Sequence, residues 1–330
     1  MAKNSNMHAA KKNQNDEFYT QLADIESEVM RYKDQFKGKV VFCNCDDPAQ
    51  SNFWKFFELN FDNFGLKKLI STHFDENQQS YKLEIIGDTD GDGKVTSKDI
   101  VKTPLKQNGD FRSDECVELL KEADIVCTNP PFSLFREYIE QLVEYEKKFL
   151  VIGNNNAVTY KEIFKLIKDG KMQLGFTSNK TMEFRVPQGY KFSRQEGNNL
   201  YGNVPAISWF TNLEIKKKPN IPILIKKYNP KDYPQYDNYS AINVNKVKDI
   251  PYNYQGVMGV PITILGLQYS DGYIHLLDEL SNEMRYEILG LSASAGYNAE
   301  IVGIPFKGTK DARCLINGKN VYARVLIKKI

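Results

Sequence analysis

The sequence predicts an α/β fold in which a parallel sheet has helices on both faces. The first observation is a series of short apolar runs with the length of buried strands, at residues 39–43, 67–73, 124–128 and 148–153. The second is that stretches with helical spacing of apolar residues alternate with these runs, at residues 17–36, 51–61, 113–122 and 132–146. Such alternation is typical of parallel sheets, whose ligand-binding residues lie on loops at the carboxyl ends of the strands.

Composition restricts the class of protein. With 330 residues, 41% of them hydrophobic, the chain is long enough for one large core or for a core with a smaller attached domain. Lys and Arg total 44 against 42 for Asp and Glu, so any basic surface for a nucleic acid must be local. The five cysteines follow no disulfide spacing, and no run approaches the ~20 apolar residues of a membrane span. We therefore expect a cytoplasmic protein without a membrane segment.

The strongest chemical signal is Asn129-Pro130-Pro131-Phe132, directly after the predicted strand 124–128. The lone pair of an adenine amine is delocalised into the ring, so its methylation needs acceptors for both N–H bonds. The side-chain oxygen of Asn129 and the backbone carbonyl of Pro130 are two such acceptors, and the proline pair restricts the backbone that aims the carbonyl. Phe132 is predicted to stack on a base lifted out of a helix. An ordinary strand-to-helix turn is the alternative explanation of the same four residues.

Five blocks of the chain resemble the EcoRI-type adenine-specific DNA methyltransferases: residues 16–20, 40–48, 108–113, 128–136 and 236–263. The resemblance covers most of the chain. It implies a Rossmann-like methyltransferase core that uses S-adenosylmethionine to methylate adenine N6 at a specific site in double-stranded DNA. It also implies a monomer that serves, with a companion restriction endonuclease, in a type II restriction-modification system.

The resemblance also implies residues that bind the cofactor. The block 16–20 resembles a segment that closes over the cofactor, with Tyr19 as the expected contact, although a helix-entry segment is an alternative. Asp110 and Phe111 resemble the acidic and aromatic pair that binds the adenine of the cofactor. In that pair the carboxylate accepts from the adenine amine and the aromatic ring packs on the face of the adenine. A helix N-cap is the alternative role for Asp110, and equally for Ser113.

The first cofactor loop, residues 43–48, departs from the glycine-rich turn of many methyltransferases. We expect Asn44 and one of Asp46 and Asp47 to bind the cofactor there, and the sequence does not choose between the two aspartates. After the second predicted strand, His73 and Asp75 are both candidates for the ribose of the cofactor.

The chain is predicted to have a flexible arm at residues 1–15, a catalytic domain at 16–225 and a target-recognition region at 226–330. The boundary follows from two lysine runs, 216–218 and 226–227, that surround Pro219 and Pro222. Residues 231–245, rich in Tyr, Asn and Asp, are predicted to contact DNA, with a solvated loop as the alternative. Arg185, Arg194 and the loop 195–199 are alternative base readers. The aromatic residues of the predicted strand 205–213 are candidates for a second wall of the base pocket, with plain core packing as the alternative for at least one of them.

One pattern stands outside this scheme. Residues 88–99 fit a twelve-residue calcium loop, with Asp88, Asp90, Asp92 and Asp99 at positions 1, 3, 5 and 12 and Gly93 at position 6. A structural calcium ion is therefore predicted. A hairpin tip with solvated aspartates explains the same residues, because a strand-like run precedes them.

Two other functions remain open at this point. The same four residues around Asn129 also suit a methyltransferase that acts on an RNA base or on a protein glutamine, where a planar amine poses the same problem. A non-catalytic DNA-binding protein that retains the fold is the second alternative.

Overall fold

The computed structural model describes residues 18–45, 47–76, 78–215, 221–267, 269–270, 273–293 and 313–330. The expected arm at 1–15 and the candidate Asp46 lie outside these residues. The α-helices are α1 (Leu22–Val29), α2 (Asn52–Leu59), α3 (Phe61–Phe64), α4 (Asp114–Glu122), α5 (Phe135–Glu144) and α6 (Lys161–Lys168). The strands are β1 (Tyr19–Thr20), β2 (Val40–Cys43), β3 (Lys68–Thr72), β4 (Tyr81–Ile85), β5 (Val101–Pro104), β6 (Ile125–Thr128), β7 (Lys148–Asn154), β8 (Gln173–Leu174), β9 (Lys180–Val186), β10 (Arg194–Glu196), β11 (Asn199–Thr211), β12 (Ile223–Leu224), β13 (Ile242–Asn243), β14 (Met258–Pro261), β15 (Tyr269–Ser270), β16 (Tyr273–Asp278), β17 (Glu283–Ser292), β18 (Leu315–Ile316), β19 (Lys319–Asn320) and β20 (Arg324–Lys329).

The described residues form two compact units. Unit 1 takes its residues from 1–155 and 175–215, and unit 2 from 156–174 and 216–330. The predicted division into catalytic and target-recognition parts is a statement about function, and it stays a prediction here.

Unit 1 is built on a sheet with the strand order β1-β9-β11-β7-β6-β2-β3-β4-β5, and β10 pairs with β11. The four central strands, β7, β6, β2 and β3, are parallel, as the alternating pattern predicts. The flanks are antiparallel, which the sequence analysis did not predict: β4 pairs with β3 and β5, and β11 pairs with β7 and β9. The connection from β3 to β4, residues 73–80, is short enough for antiparallel pairing, whereas parallel pairing needs a crossover of a dozen or more residues.

The strand order reverses between β2 and β6. From β2 the chain passes through α2 and α3 to β3 on one side, and from β6 it passes through α5 to β7 on the other. The two connections therefore leave a crevice at the carboxyl ends of β2 and β6, which is where open α/β sheets bind ligands. The mixed sheet with this switch point is a Rossmann-like core, as the sequence predicts.

Two helices begin later than their sequence patterns predict. The helix predicted from residue 17 begins at Leu22, because Tyr19 and Thr20 pair with Arg185 and Phe184 as strand β1. The helix predicted from Phe132 begins at Phe135. Proline has no N–H and restricts the residue before it, so the Pro130-Pro131 pair delays helix formation.

The core of unit 1 is rich in aromatic side chains from α2, α3 and the segment after α1. Phe36 contacts Phe57 and Phe64 with ring centroids 5.3 and 5.6 Å apart. Trp209 on β11 is fully buried against Phe53 of α2, at 5.8 Å. This packing fixes α2 and α3 on one face of the sheet and so fixes the loop that joins β2 to α2.

Unit 2 contains a second sheet with the order β12-β16-β17-β20-β14-β13, and β15 pairs with β16. Its long central strands are antiparallel, and their buried faces include Leu276, Tyr286 and Ile327. Helix α6 buries Ile163, Phe164 and Ile167, and Lys168 Nζ donates to the backbone oxygen of Leu289 on β17 at 3.0 Å. None of the helices in the described part of the chain has the length and apolar character needed to cross a bilayer.

Candidate active site

Asn129 follows β6 directly, at the carboxyl edge of the sheet. Its side chain is only 5% exposed, and its Nδ2 donates to the backbone carbonyl of Phe18. Its Oδ1 is buried and has no hydrogen-bond partner among the described residues. A buried polar atom without a partner costs about 1–3 kcal/mol, so each such atom calls for an explanation, of which pairing with a ligand is one. The loop thus holds an acceptor, without a partner among the described residues, at the carboxyl edge of the sheet.

The loop after β6 is tied to the loop after β2. Thr128 Oγ1 donates to the backbone oxygen of Asn44, and the hydroxyl of Tyr138 on α5 donates to Asn44 Oδ1. Asn44 and Tyr138 are both buried. The structure therefore brings the predicted cofactor loop beside the Asn129 loop and fixes the orientation of the Asn44 amide.

Cys45 adopts the conformation that a glycine usually supplies. Its φ is 68°, in the left-handed region that is costly for residues with a Cβ. The tight turn after β2 is thus present although the glycine-rich sequence is not. Asp47 completes the entry into α2, with Oδ1 accepting from Ala49 N at 3.0 Å and Oδ2 from Gln50 Nε2 at 2.9 Å.

Phe132 belongs to an aromatic cluster beside Asn129. Its ring centroid lies 5.7 Å from that of Phe18 and 6.5 Å from that of Phe184, and Phe18 contacts Tyr190 at 5.1 Å. Phe132 is 8% exposed, whereas Tyr190 is half-buried. Gly202 on β11 makes room for the Tyr190 loop, because a Cβ there would lie 2.7 Å from the backbone oxygen of Lys191.

The aromatic residues of the predicted strand 205–213 do not join this cluster. Trp209 and Phe210 are both completely buried, with 0% of each residue exposed. The ring centroid of Phe210 lies 4.9 Å from that of Phe135. They are core residues, so the expectation of a pocket wall there is wrong. Tyr190 and Phe184 were missed by the sequence analysis because neither follows a predicted parallel strand.

Asp110 and Phe111 lie on the loop before α4. Both oxygens of Asp110 accept from the Arg112 side chain, with Nε at 2.8 Å and Nη2 at 2.7 Å. Burial tends to raise the pKa of Asp110, but the hydrogen bonds and charge of Arg112 outweigh it, so that pKa lies below its usual value. Asp110 is therefore an ionised acceptor. Ser113, rather than Asp110, caps α4, since its Oγ accepts from Cys116 N.

Phe111 is buried edge-on against Tyr138, with centroids 5.1 Å apart. Gln141 Nε2 donates to the backbone oxygen of Phe111 at 3.1 Å, while Gln141 Oε1 is buried without a partner in the part of the chain that the structure describes. A second orphaned acceptor therefore lies beside the predicted adenine site of the cofactor.

The loop of Asp110 also touches the end of β3. Gly109 has a φ of 78°, and a Cβ there would lie 2.1 Å from the backbone oxygen of His73, so only glycine fits. The His73 ring stacks on Tyr81 at 4.7 Å, and its Nδ1 is buried with no partner among the residues described. Asp75, the other ribose candidate, uses Oδ1 to accept from Gln78 N at 3.0 Å.

Tyr19 lies on β1 with the Arg185 guanidinium 4.2 Å from its ring centroid. Arg185 Nη2 also donates to Gln50 Oε1 at 2.6 Å. These contacts connect β1 and β9 with the segment that leads into α2.

The twelve-residue acidic loop connects β4 to β5 as part of an antiparallel hairpin. Ligand oxygens of Asp88, Asp90 and Asp99 lie within 4.8 Å of one another, and Asp92 is not part of this group. Asp99 accepts from Thr89 N at 2.7 Å and from Thr96 N at 2.8 Å. Within residues 78–104, all of which are described, no α-helix flanks the loop, so the frame of a helix–loop–helix calcium site is missing.

Unpartnered acceptor atoms beside the end of β3 and beside Phe111 suit a polar cofactor. They are His73 Nδ1 and Gln141 Oε1, and neither has a hydrogen-bond partner among the described residues. The ionised Asp110 adds an acceptor. Together these acceptors suit a ligand with hydroxyl and amine donors.

Comparison with known proteins gives the family. The family model described as "Adenine-specific methyltransferase EcoRI" matches residues 6–330. Type II methyltransferase M.EcoRI of Escherichia coli is 42% identical over 344 aligned positions, which cover 99% of this chain and 97% of that protein. Type II methyltransferases M.MgeORF184P of Mycoplasma genitalium and M.MpnI of Mycoplasma pneumoniae are each 42% identical, with 97% of both chains covered. The chain is therefore an enzyme and belongs to the EcoRI family of adenine-specific methyltransferases.

Proposed function

We propose that this enzyme transfers the methyl group of S-adenosylmethionine to N6 of an adenine that is flipped out of double-stranded DNA at a specific sequence. The observation that carries the proposal is the buried Oδ1 of Asn129, which lacks a partner among the described residues and lies at the switch point of the sheet. The membership of the family supports the adenine specificity.

The residues around Asn129 account for the chemistry. Asn129 Oδ1 and the carbonyl of Pro130 accept the two N–H bonds of the adenine amine, which localises the lone pair on N6. Phe132 packs on the face of the flipped base and replaces part of the stacking that the base loses, worth roughly 1–3 kcal/mol. The cofactor supplies an electrophilic methyl on sulfur. N6 would accept that methyl group, with S-adenosylhomocysteine as the leaving group, and would release its extra proton to water.

We assign the cofactor to the crevice between the ends of β2, β3 and β6. Asn44 and Asp47 belong to the loop after β2, and either Asp47 or Asp46, which lies outside the described residues, binds the ammonium group of the cofactor. Asp110 and Phe111 bind the adenine ring of the cofactor. Tyr19 contacts the cofactor from the segment that closes over it. For the ribose we choose His73, because its Nδ1 is buried without a partner in the described chain while Asp75 holds its own turn.

The setting of the enzyme is also part of the proposal. Residues 226–330 form the target-recognition region, the enzyme acts as a cytoplasmic monomer, and a restriction endonuclease of the same specificity accompanies it in a type II system. The relatives carry the designation type II in their names, which supports this assignment.

The calcium ion stays a prediction. Three of the four predicted ligands lie together, but Lys98 Nζ is 3.8 Å from Asp90 Oδ2 and competes for the same charge. A rise in melting temperature with calcium, absent in Asp88→Asn, would support it. An equal response of the two proteins would contradict it.

The test of the function is transfer of labelled methyl from S-adenosylmethionine to unmethylated double-stranded DNA, followed by nucleoside analysis. We expect the label in N6-methyladenine at one sequence. Single-stranded RNA and a bulk protein extract serve as competing acceptors. Label in either of these, with none in DNA, would overturn the proposal.

A further inference from the structure

We propose that the backbone carbonyl of Phe18 sets the orientation of the Asn129 side-chain amide, and thereby makes its oxygen the group that faces the target amine. Phe18 is then a positioning residue for methyl transfer. This inference rests on the proposed function, since it assigns a role within the same site.

The direct contact defines the amide orientation. An asparagine amide has one acceptor and one donor end, which differ only by a 180° rotation of the side-chain amide. Asn129 Nδ2 donates to the Phe18 carbonyl, and Oδ1 is buried on the other side without a partner in the described chain. The rotated amide would place two carbonyl oxygens against each other and present N–H groups to an amine that needs acceptors. The Phe18 carbonyl excludes that arrangement.

The two residues that follow Phe18 are held by the sheet and by α2. Tyr19 and Thr20, the next two residues, pair with Arg185 and Phe184 of β9. Asn52 Nδ2 on α2 donates to the backbone oxygen of Thr20 at 2.7 Å. These bonds join the segment to the sheet and to α2.

The ring of Phe18 is equally constrained. It contacts Phe132 at 5.7 Å, Phe184 at 6.0 Å and Tyr190 at 5.1 Å, and only 2% of the residue is exposed. One residue therefore fixes the acceptor, through its carbonyl, and supports the ring that stacks on the base. The segment that the family resemblance places over the cofactor thus also aligns the catalytic amide.

The first test is the pH profile of methylation by Asn129→Asp. The carboxyl group has the same shape, but the oxygen that faces the Phe18 carbonyl can donate only when it is protonated. We expect activity at low pH that falls roughly tenfold per pH unit above the pKa of the new carboxyl, while the wild type does not follow this slope. A purely structural role for the contact would not move the profile in this way.

The profile needs matched controls. The neighbouring segments carry the titratable groups Tyr19, Arg185, Tyr190 and Cys45, and the wild type measured in parallel accounts for them. Asn60→Asp, at the end of α2, controls for an added charge. Binding of S-adenosylmethionine and DNA by Asn129→Asp verifies its fold. If the variant binds both but has a wild-type profile, or is inactive at every pH, the inference is wrong.

A second experiment leaves Asn129 intact. Incorporation of the α-hydroxy analogue of tyrosine at position 19 converts the Phe18 carbonyl into an ester carbonyl, which is a weaker acceptor. We expect kcat to fall several-fold with little change in the KM for S-adenosylmethionine. The matched control is the α-hydroxy analogue of threonine at position 20, which weakens the Tyr19 carbonyl instead. An equal kcat for both esters would overturn the inference, whereas failure of the wild type to methylate adenine in DNA would overturn the proposed function itself.

Discussion

Asn129 combines two properties that rarely occur together, near-complete burial and an acceptor without a partner among the described residues. If that acceptor binds the adenine amine, Asn129→Ala removes a group that acts mainly in the transition state. We expect kcat to fall about 10²–10³-fold, by analogy with the loss of one preorganised hydrogen-bonding group, with cofactor affinity unchanged. Single-turnover kinetics and equilibrium binding measure the two quantities. Near-normal turnover would contradict the assignment.

His73 permits a similar test of the cofactor site. His73→Phe keeps a ring that can stack on Tyr81 but loses Nδ1. Loss of one hydrogen bond to a ribose hydroxyl should raise the KM for S-adenosylmethionine about tenfold, with a small effect on kcat. Asp75→Asn is the control, because the Asn side chain retains an oxygen that can accept from Gln78 N. An unchanged KM in His73→Phe would exclude His73 from the cofactor site.

The residue types at the site could be read from the sequence, but several partners could not. Asn129, Phe132, Asp110 and Phe111 stand out through their neighbours in the chain and through the family resemblance. The contact between Asn129 and Phe18 joins residues 111 positions apart, and no local pattern encodes it. The choice between His73 and Asp75 likewise depended on which of them already had a partner in its own turn.

Among the elements, α1 shows how one side chain holds a distant loop. Glu28 is fully buried, and its carboxylate accepts from Phe176 N and Thr177 N at 2.7 Å each. Glu28→Ala leaves these two partly buried N–H groups unpaired, which should destabilise unit 1 by about 3 kcal/mol. Urea unfolding followed by tryptophan fluorescence isolates unit 1, because both tryptophans, Trp54 and Trp209, belong to it.

The matched control for this prediction is Glu26→Ala, an exposed position on the same helix. We expect a change within about 0.5 kcal/mol for this surface substitution. If the two substitutions lower the free energy of unfolding equally, the hydrogen bonds of Glu28 make no net contribution to stability.

The loop between β4 and β5 gives a prediction about pH. Hydrogen bonds from the backbone of Thr89 and Thr96 lower the pKa of Asp99 to about 2, from an ordinary value of 3.8. A lowered pKa stabilises the fold above the ordinary value, and that contribution is lost as pH falls toward the folded value. The wild type should therefore melt higher than Asp99→Asn well above pH 3.8, and the difference should shrink as the pH approaches 2.

Differential scanning calorimetry at several pH values measures this difference. Asp92→Asn is the control, since the oxygen of Asp92 accepts only from Lys94 N among the bonds described for it. A difference between the wild type and Asp99→Asn that does not depend on pH would contradict the role of the ionised carboxylate.

For the whole molecule, the net charge is only +2, so the positive charge that binds DNA must be concentrated on local surfaces. Lys226 and Lys227 are exposed after β12, in the predicted recognition region. If each neutralises a phosphate, the double alanine variant should reduce the slope of log affinity against log salt by about 2. Fluorescence anisotropy with a DNA duplex over a salt series measures the slope. The control is the double variant Lys55→Ala with Lys121→Ala, in unit 1. An unchanged slope in the variant that lacks Lys226 and Lys227 would exclude these two lysines from the DNA-binding surface.

Part of the segment that is predicted to contact DNA is buried. Tyr233 and Tyr236, within the segment predicted to contact DNA, are each only 6% exposed. Tyr233 donates to the backbone oxygen of Asp249 at 2.8 Å, and Tyr236 donates to Asn243 Oδ1 at 2.9 Å. These tyrosines stabilise unit 2, so DNA contact by this segment would involve its exposed residues, such as Lys231 and Asp232.

The sequence alone determined the parallel centre of the sheet, the position of Asn129 after β6 and the family, because periodicity and residue order are local properties of the chain. The tertiary structure decided what depends on contacts between distant segments. The antiparallel flanks, the burial of Trp209 and Phe210, the Phe18 contact with Asn129 and the bond from Thr177 to Glu28, across 149 positions, all belong to this group. Such contacts depend on where two segments meet in space, and composition and spacing within either segment do not specify that place.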